Sequence, residues 1–362
     1  MDWKRKFSEI GVIDSHIHVF DRIDRKTGES FIHGLEEYRE AMHLRAVNLA
    51  ALPSGGNRDV SDNVLLAFYK LANPHTYIHG GLTYPVAPPS LVSGKDPLTQ
   101  YEELMSIGFD GIKMLEGKPT LYRELNTPLD SEYYDAFFAK AEADGTHIIA
   151  HVNDPEEFWD EAKISDEIKA KGWFYGDPSY VKNTEMYAQV DRLLQKHPGL
   201  NVTFAHFFFR SASPETLDGM FTKYPKMAVD LTPGGEMYVN FNKRPEYYRA
   251  FFHRYSDRIL FGTDGCFPKN MAAMEWLCDR VFRYVATEDE TDAWGDVPLK
   301  GIHLDEADVA RIMADNFITR VGEKPRPIDK SALARYIKKY KNDVKSEATR
   351  AEIEHLAAEW LA

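Results

Sequence analysis

The stretch Val12-Ile-Asp-Ser-His-Ile-His-Val19 decides how the rest of the chain is read. As a strand it alternates faces with period two, so His16 and His18 project from one side and the apolar Ile17 from the other. Two imidazoles on one face can share one metal ion. Alone the pattern is weak, because 13 histidines in 362 residues supply about half a His-x-His match by chance. Context strengthens it. Apolar residues lead into the pair, an acidic loop follows, and the pair lies at the strand's C-terminal end, where parallel barrels keep their chemistry.

Outward from this strand, short β-prone runs recur at 46–52, 76–84, 109–115, 146–152, 201–207, 227–231 and 258–263, which makes eight with the first. Helical patterns separate them at 62–72, 98–107, 131–143, 185–196 and 246–255, with Asp62 placed to cap the first. Turns are marked by Pro53-Ser-Gly-Gly, by a Pro-rich loop at 85–97 and by Pro233-Gly-Gly. The longest excursion, 153–181, carries Phe158, Trp159, Trp173, Phe174, Tyr175 and Tyr180. Every crossover is long enough for a parallel connection, so the expected fold is α/β, a TIM (β/α)₈ barrel over residues 1–322. An outer helix at 272–285, a polar loop at 287–298 and a helix at 305–316 close it. Residues 323–362 read as an appended helical tail, with Leu333, Tyr336, Ile337, Ile353, Leu356 and Trp360 at helical spacing. The tail is expected either on the barrel exterior or at the interface of a homo-oligomer.

Hydrophobic residues at 43% and aromatics at 13% are enough for a packed core, which excludes a disordered chain. The net charge of -13 repels phosphate backbones and anionic membranes, so neither nucleic acid nor a membrane surface is an expected partner. No apolar run follows the charged start MDWKRKFSEIG, and none approaches the ~20 residues that span a bilayer. Cys266 and Cys278 are too few for a disulfide framework. A reducing, cytoplasmic location is expected.

Six polar residues share one kind of position: His16 and His18 on the first strand, Lys113 on the fourth, His151 on the fifth, His206 on the sixth and Asp264 after the eighth. In a closed barrel all six converge on one mouth. The phrases IDSHIHVF, IGFDGIKML, IIAHV, HPGLNVTFAH, ILFGTDGCFP and DVARIMADNF together resemble the amidohydrolase superfamily, in the branch that includes aminocarboxymuconate-semialdehyde decarboxylase, over residues 10–322. The resemblance implies that His16, His18, His151 and Asp264 hold one divalent metal, Zn²⁺ in the first place and Mn²⁺ in the second, and that His206 is catalytic. Two departures concern the substrate: Phe207, Phe208 and Phe209 follow His206 where small residues are usual, and Gly265-Cys266 follows Asp264 where an aromatic is usual.

Neutral imidazoles and a carboxylate suit Zn²⁺ with one position left for water, whose pKa then falls toward ~7. Asp264 can act as general base and then general acid, and His206 can polarise a carbonyl. Lys113 has three readings: a carboxylated bridge to a second metal, a cation for the substrate, or a buried pair with Glu116. Substrate contacts are assigned to Arg210, Glu116, Trp173 and Tyr175, with Lys118 and Arg123 as further carboxylate partners; surface solvation is the alternative for the cations. Cys266 reads as a small buried hydrophobe, with a ligand or a contact at the mouth as the alternative. The expected activity is metal-dependent hydrolysis of an amide, ester or lactone in a small carboxylated substrate. Two alternatives stand beside it: non-oxidative decarboxylation of an unsaturated or aromatic acid, and a non-catalytic ligand-binding barrel.

Overall fold

The structure, a computed structural model, describes residues 2–19, 32, 34–52, 59–84, 96–267, 271–294 and 297–361. The loop after the first strand, the Pro53 turn and most of the Pro-rich loop lie outside the described residues. One sheet carries nine parallel strands: β1 (Ile13–Val19), β2 (Ala46–Ala50), β3 (Thr76–Gly81), β4 (Gly111–Gly117), β5 (His147–Val152), β6 (Val202–Phe204), β7 (Ala228–Asp230), β8 (Ile259–Leu260) and β9 (Gly265–Phe267). They lie in the order β8-β7-β6-β5-β4-β3-β2-β1-β9. The sheet is therefore a curled, distorted TIM barrel, with helices between successive strands from β1 to β8.

The eighth expected run, 258–263, is strand only at β8, and the ninth strand lies beyond its end, after Asp264. β8 pairs with β7, and β9 pairs with the far edge of β1. Between them the chain crosses the seam: Ser15 N–H donates to the Phe261 carbonyl at 3.2 Å, and Asp264 N–H to the His16 carbonyl at 2.9 Å. Gly262 makes the crossing fit, because a Cβ there would lie 2.8 Å from Thr232 Cγ2 and 3.1 Å from His16 Cβ. Asp14 replaces ladder bonds at the break, accepting from Thr263 N–H at 3.1 Å and from Thr263 Oγ1 at 2.6 Å.

Strands covered on both faces are buried throughout, as a parallel sheet under helices requires. Polar groups inside the barrel are paired rather than absent. His79 Nδ1 meets Asn48 Oδ1 at 2.7 Å, His79 Nε2 meets His147 Nδ1 at 2.9 Å, and His147 Nε2 meets Thr203 Oγ1 at 2.8 Å.

Beyond the barrel, helices Lys330–Tyr340 and Glu347–Trp360 form the tail. They pack on the outer helices Pro97–Ile107 and Ser61–Ala72. Leu333 and Tyr336 are buried there, and Tyr340 Oη donates to Glu103 Oε2 at 2.7 Å. Several expectations need correction. Where a polar loop was expected at 287–298, the chain forms an antiparallel pair, Glu290–Trp294 with Val297–Lys300, that runs past the loop's end. Helices Trp3–Ile10, Pro119–Leu125, Pro214–Lys223 and Gly235–Lys243 were not expected, although Pro119 and Pro214 each mark a first helical turn. Among the described residues no helix is long and apolar enough to cross a membrane.

Candidate metal centre

Period two in β1 brings His16 and His18 side by side, with ring centroids 5.0 Å apart. Each ring is oriented through Nδ1. His16 Nδ1 lies 2.9 Å from Asp230 Oδ2, and His18 Nδ1 lies 2.7 Å from the Ala50 carbonyl. An ionised carboxylate and a carbonyl can only accept, so each imidazole carries a proton on Nδ1. In His16 this leaves the Nε2 lone pair facing outward, toward Lys113 Nζ at 2.9 Å. Burial would raise the Asp230 pKa, but the hydrogen bond and charge of His16 hold it below the usual carboxylate range. The two Nε2 atoms face the same oxygen: Asp264 Oδ1 is 3.7 Å from His16 and 3.1 Å from His18. All three ligand atoms lie within 4.8 Å of one another.

This donor set fits one divalent ion. Burial first, and then the Lys113 charge, push the His16 pKa down to about 4, so its Nε2 lone pair is present at neutral pH. Burial works against ionisation of Asp264, but the His18 hydrogen bond and the neighbouring imidazoles hold its carboxyl well below the usual range. Its side chain keeps 35% of its surface open, which leaves it within reach of a molecule in the cleft. Asp264 itself sits in the seam between β8 and β9 with φ 53°, a left-handed conformation that turns its carboxylate back toward β1.

The other expected residues divide. Lys113 Nζ lies 2.9 Å from His16 Nε2, and burial pushes its pKa down to about 8 against the pull of Asp264, Asp230 and Glu116. The expected Lys113–Glu116 pair does not form. Residues three apart on a strand point to opposite faces. Glu116 instead accepts from Tyr84 Oη at 2.8 Å, and burial raises its pKa to about 7. His151 stands outside the three-atom group: its Nε2 is 3.2 Å from Asp154 Oδ1, while its ring lies 5.0 Å from that of His206. His206 lies beyond the end of β6 rather than in it, with Nδ1 at 3.2 Å from the Thr232 carbonyl.

His206 begins a left-handed turn, in which φ is 56° at His206, 53° at Phe207, 57° at Phe208 and 49° at Phe209. Each such residue costs roughly 1–2 kcal/mol, so the surroundings must hold it. Phe207 packs on Phe241 at 4.8 Å, Phe208 on Phe204 at 4.2 Å, and Phe209 against the His206 ring at 5.0 Å. Tyr187 Oη donates to the Phe208 carbonyl at 3.1 Å. The three phenylalanines that set this sequence apart are the groups that clamp the turn.

A cleft of about 540 Å³ opens over the centre. His18, Lys113, His151, His206 and Asp264 line its polar side; Leu52, Leu115, Leu121 and Trp173 line the apolar side, with Lys118 and Cys266 between. Lys118 Nζ stands 4.8 Å from the Trp173 ring centroid and pairs with Asp154 at 3.0 and 2.9 Å. Tyr175 supports this corner from behind, donating to Asp154 Oδ2 at 2.6 Å. Arg210 lies outside the cleft lining with its guanidinium 3.4 Å from the Tyr187 ring centroid, and Arg123 stacks on Tyr180 at 4.2 Å. A second grouping, His253 with Asp305 and Asp308, lies away from the cleft, where Asp308 already accepts from Arg311 at 2.7 Å.

Asp154 and Asp230 were missed from the sequence. Asp230 closes the seventh run just as the expected residues close theirs, so the same reasoning reaches it; Asp154 follows His151 by three residues, with no periodicity to mark it.

The family description Amidohydrolase matches residues 13–316. No protein of curated function matches the chain by sequence. Solved structures of similar fold include a TIM-barrel protein from Bordetella bronchiseptica, at 13% identity and TM-score 0.53. They also include 5-carboxyvanillate decarboxylase from Sphingomonas paucimobilis, at 13% and 0.50, and a 2,6-dihydroxybenzoate decarboxylase complexed with 2,6-dihydroxybenzoate, at 14% and 0.50. Each alignment covers 86% of this chain and 99% of the other. Identities this low speak for the fold alone. The family match runs from β1 into the closing helices and takes in the whole donor group. The chain belongs to the amidohydrolase family, as an enzyme able to bind a metal.

Proposed function

We propose that the chain is a metal-dependent carboxy-lyase, which removes CO₂ without oxidation from a small unsaturated or aromatic acid. This reverses the order that the sequence suggests, in which hydrolysis came first. The observation that carries it is the make-up of the cleft: Lys113 and Lys118, with Asp264 and Glu124 as the acidic members of the lining, set among Leu52, Leu115, Leu121 and Trp173. Cations draw in a carboxylate, and apolar walls make the charged acid costly to keep but leave neutral CO₂ at ease. The two decarboxylases of similar fold point the same way.

His16, His18 and Asp264 would hold one ion, Zn²⁺ or Mn²⁺, with His151 as the nearest further donor. Such an ion supplies a fixed positive charge that polarises an oxygen of the acid. Lys113 acts as an ammonium beside it, rather than as a carboxylated bridge to a second metal. As the C–C bond breaks, its electron pair passes into the conjugated system and CO₂ leaves. The carbon then takes a proton from His206 Nε2. The Thr232 carbonyl holds the other proton on Nδ1, so the ring returns as the tautomer that can be reprotonated on its cleft side.

The test is turnover of a panel of small aromatic and α,β-unsaturated acids that also carry an amide, ester or lactone group, by the Zn²⁺- or Mn²⁺-loaded enzyme in ¹⁸O water. Stoichiometric CO₂ with no label in the organic product is expected. Label in a new carboxyl group, without CO₂, would make the enzyme a hydrolase.

A further inference from the structure

We propose that Asp230 is a positioning residue shared by both sides of the site: it fixes which nitrogen His16 offers to a metal, and it anchors the backbone that carries His206. The role of His206 in this pairing rests on the carboxy-lyase reading; the role of His16 does not.

Asp230 closes β7 and is buried, with 1% of its side chain exposed. Its Oδ2 accepts from His16 Nδ1 at 2.9 Å. Its Oδ1 accepts from the backbone N–H of His206 at 2.8 Å, from Thr232 N–H at 3.1 Å and from the Thr232 hydroxyl. Donors from β1, from the turn after β6 and from its own loop therefore converge on one carboxylate. The His206 N–H needs such an acceptor, because β6 ends at Phe204 and the chain at once enters its left-handed turn. The two rings it serves lie 6.2 Å apart.

A carboxylate suits this place because it is acceptor-only on both oxygens. An amide is not. In Asp230→Asn the single oxygen would stay with the three donors of His206 and Thr232, two of them backbone groups that cannot rearrange. The NH₂ would then face His16 Nδ1. To avoid two opposed donors, His16 must move its proton to Nε2; Lys113 Nζ, 2.9 Å from that nitrogen, must then turn away, and the lone pair offered to a metal is lost. Shape and burial hardly change, yet the metal ligand is switched off.

Two readouts that need no substrate test this: ¹⁵N NMR of the histidine tautomers in the metal-free protein, and Zn²⁺ affinity by competition with a chelator. The wild type should show His16 protonated on Nδ1. Asp230→Asn should show it on Nε2, with Zn²⁺ affinity down by ~10–100-fold, the usual range for the loss of an outer-sphere partner. Tyr187→Phe, which loosens the same turn from its far side, should leave tautomer and affinity as in the wild type. An Asp230→Asn variant with wild-type affinity and tautomer overturns the proposal. So does a wild-type His16 protonated on Nε2, a result that stands even where the variant does not fold. Neither readout depends on whether CO₂ is released, so failure here is distinct from failure of the carboxy-lyase reading.

Discussion

Glu116 is the buried carboxyl that the site leaves aside, and it carries a stability cost that pH can expose. It is 2% exposed, takes one hydrogen bond from Tyr84 and has burial as the main cause of a pKa near 7 instead of 4.5. The folded state holds this proton more tightly than the unfolded chain. Its contribution to stability is thus complete below about pH 4.5 and is lost as pH rises through about 7. Glu116→Gln keeps the shape and the acceptor for Tyr84 but cannot ionise. Relative to the wild type, the variant should gain roughly 2 kcal/mol between about pH 5.5 and pH 8, read from urea unfolding at each pH. A constant difference across that range would place the Glu116 pKa at its ordinary value. At this scale the sequence is readable where residues sit at matched spacing, as His16 and His18 do. It is opaque where one carboxylate, such as Asp154 or Asp230, gathers donors from strands far apart in the chain.

Among the elements, the left-handed turn His206–Phe209 and the broken eighth strand do the most to shape the site. Both interrupt a strand at its C-terminal end, and both aim a polar side chain into the mouth. Phe207 holds the turn from the core side, at 0% exposure among Phe241, Tyr248, Phe251 and Phe252. Phe207→Ala should cost about 3–5 kcal/mol in chemical unfolding, the range for truncating a buried phenylalanine. A cost below ~1 kcal/mol would mean that the turn does not depend on this packing. Neither interruption was legible beforehand. Phe207 read as β-prone, so the sixth run was drawn through to 207 although β6 stops at Phe204. Phenylalanine gives no sign of positive φ, whereas the Gly262 beside the seam at least marks a close approach.

For the whole molecule, alternation of β-prone and helical runs was enough to give a parallel barrel, because burial on both faces leaves continuous apolar strands separated by long crossovers. The tail was legible as helical from its spacing, and its apolar face is now seen to rest on the helices Ser61–Ala72 and Pro97–Ile107. We read residues 1–322 as the barrel unit and 323–362 as its extension. What the barrel achieves is convergence: residues 16, 18 and 264, far apart in the sequence, meet at one point because β9 pairs with β1. That convergence is the central claim, and diffraction from Zn²⁺-loaded crystals on both sides of the zinc absorption edge tests it most directly. A single anomalous peak bounded by His16 Nε2, His18 Nε2 and Asp264 is the predicted result; a peak only at His253 and Asp308, or none at the end of β1, would contradict it.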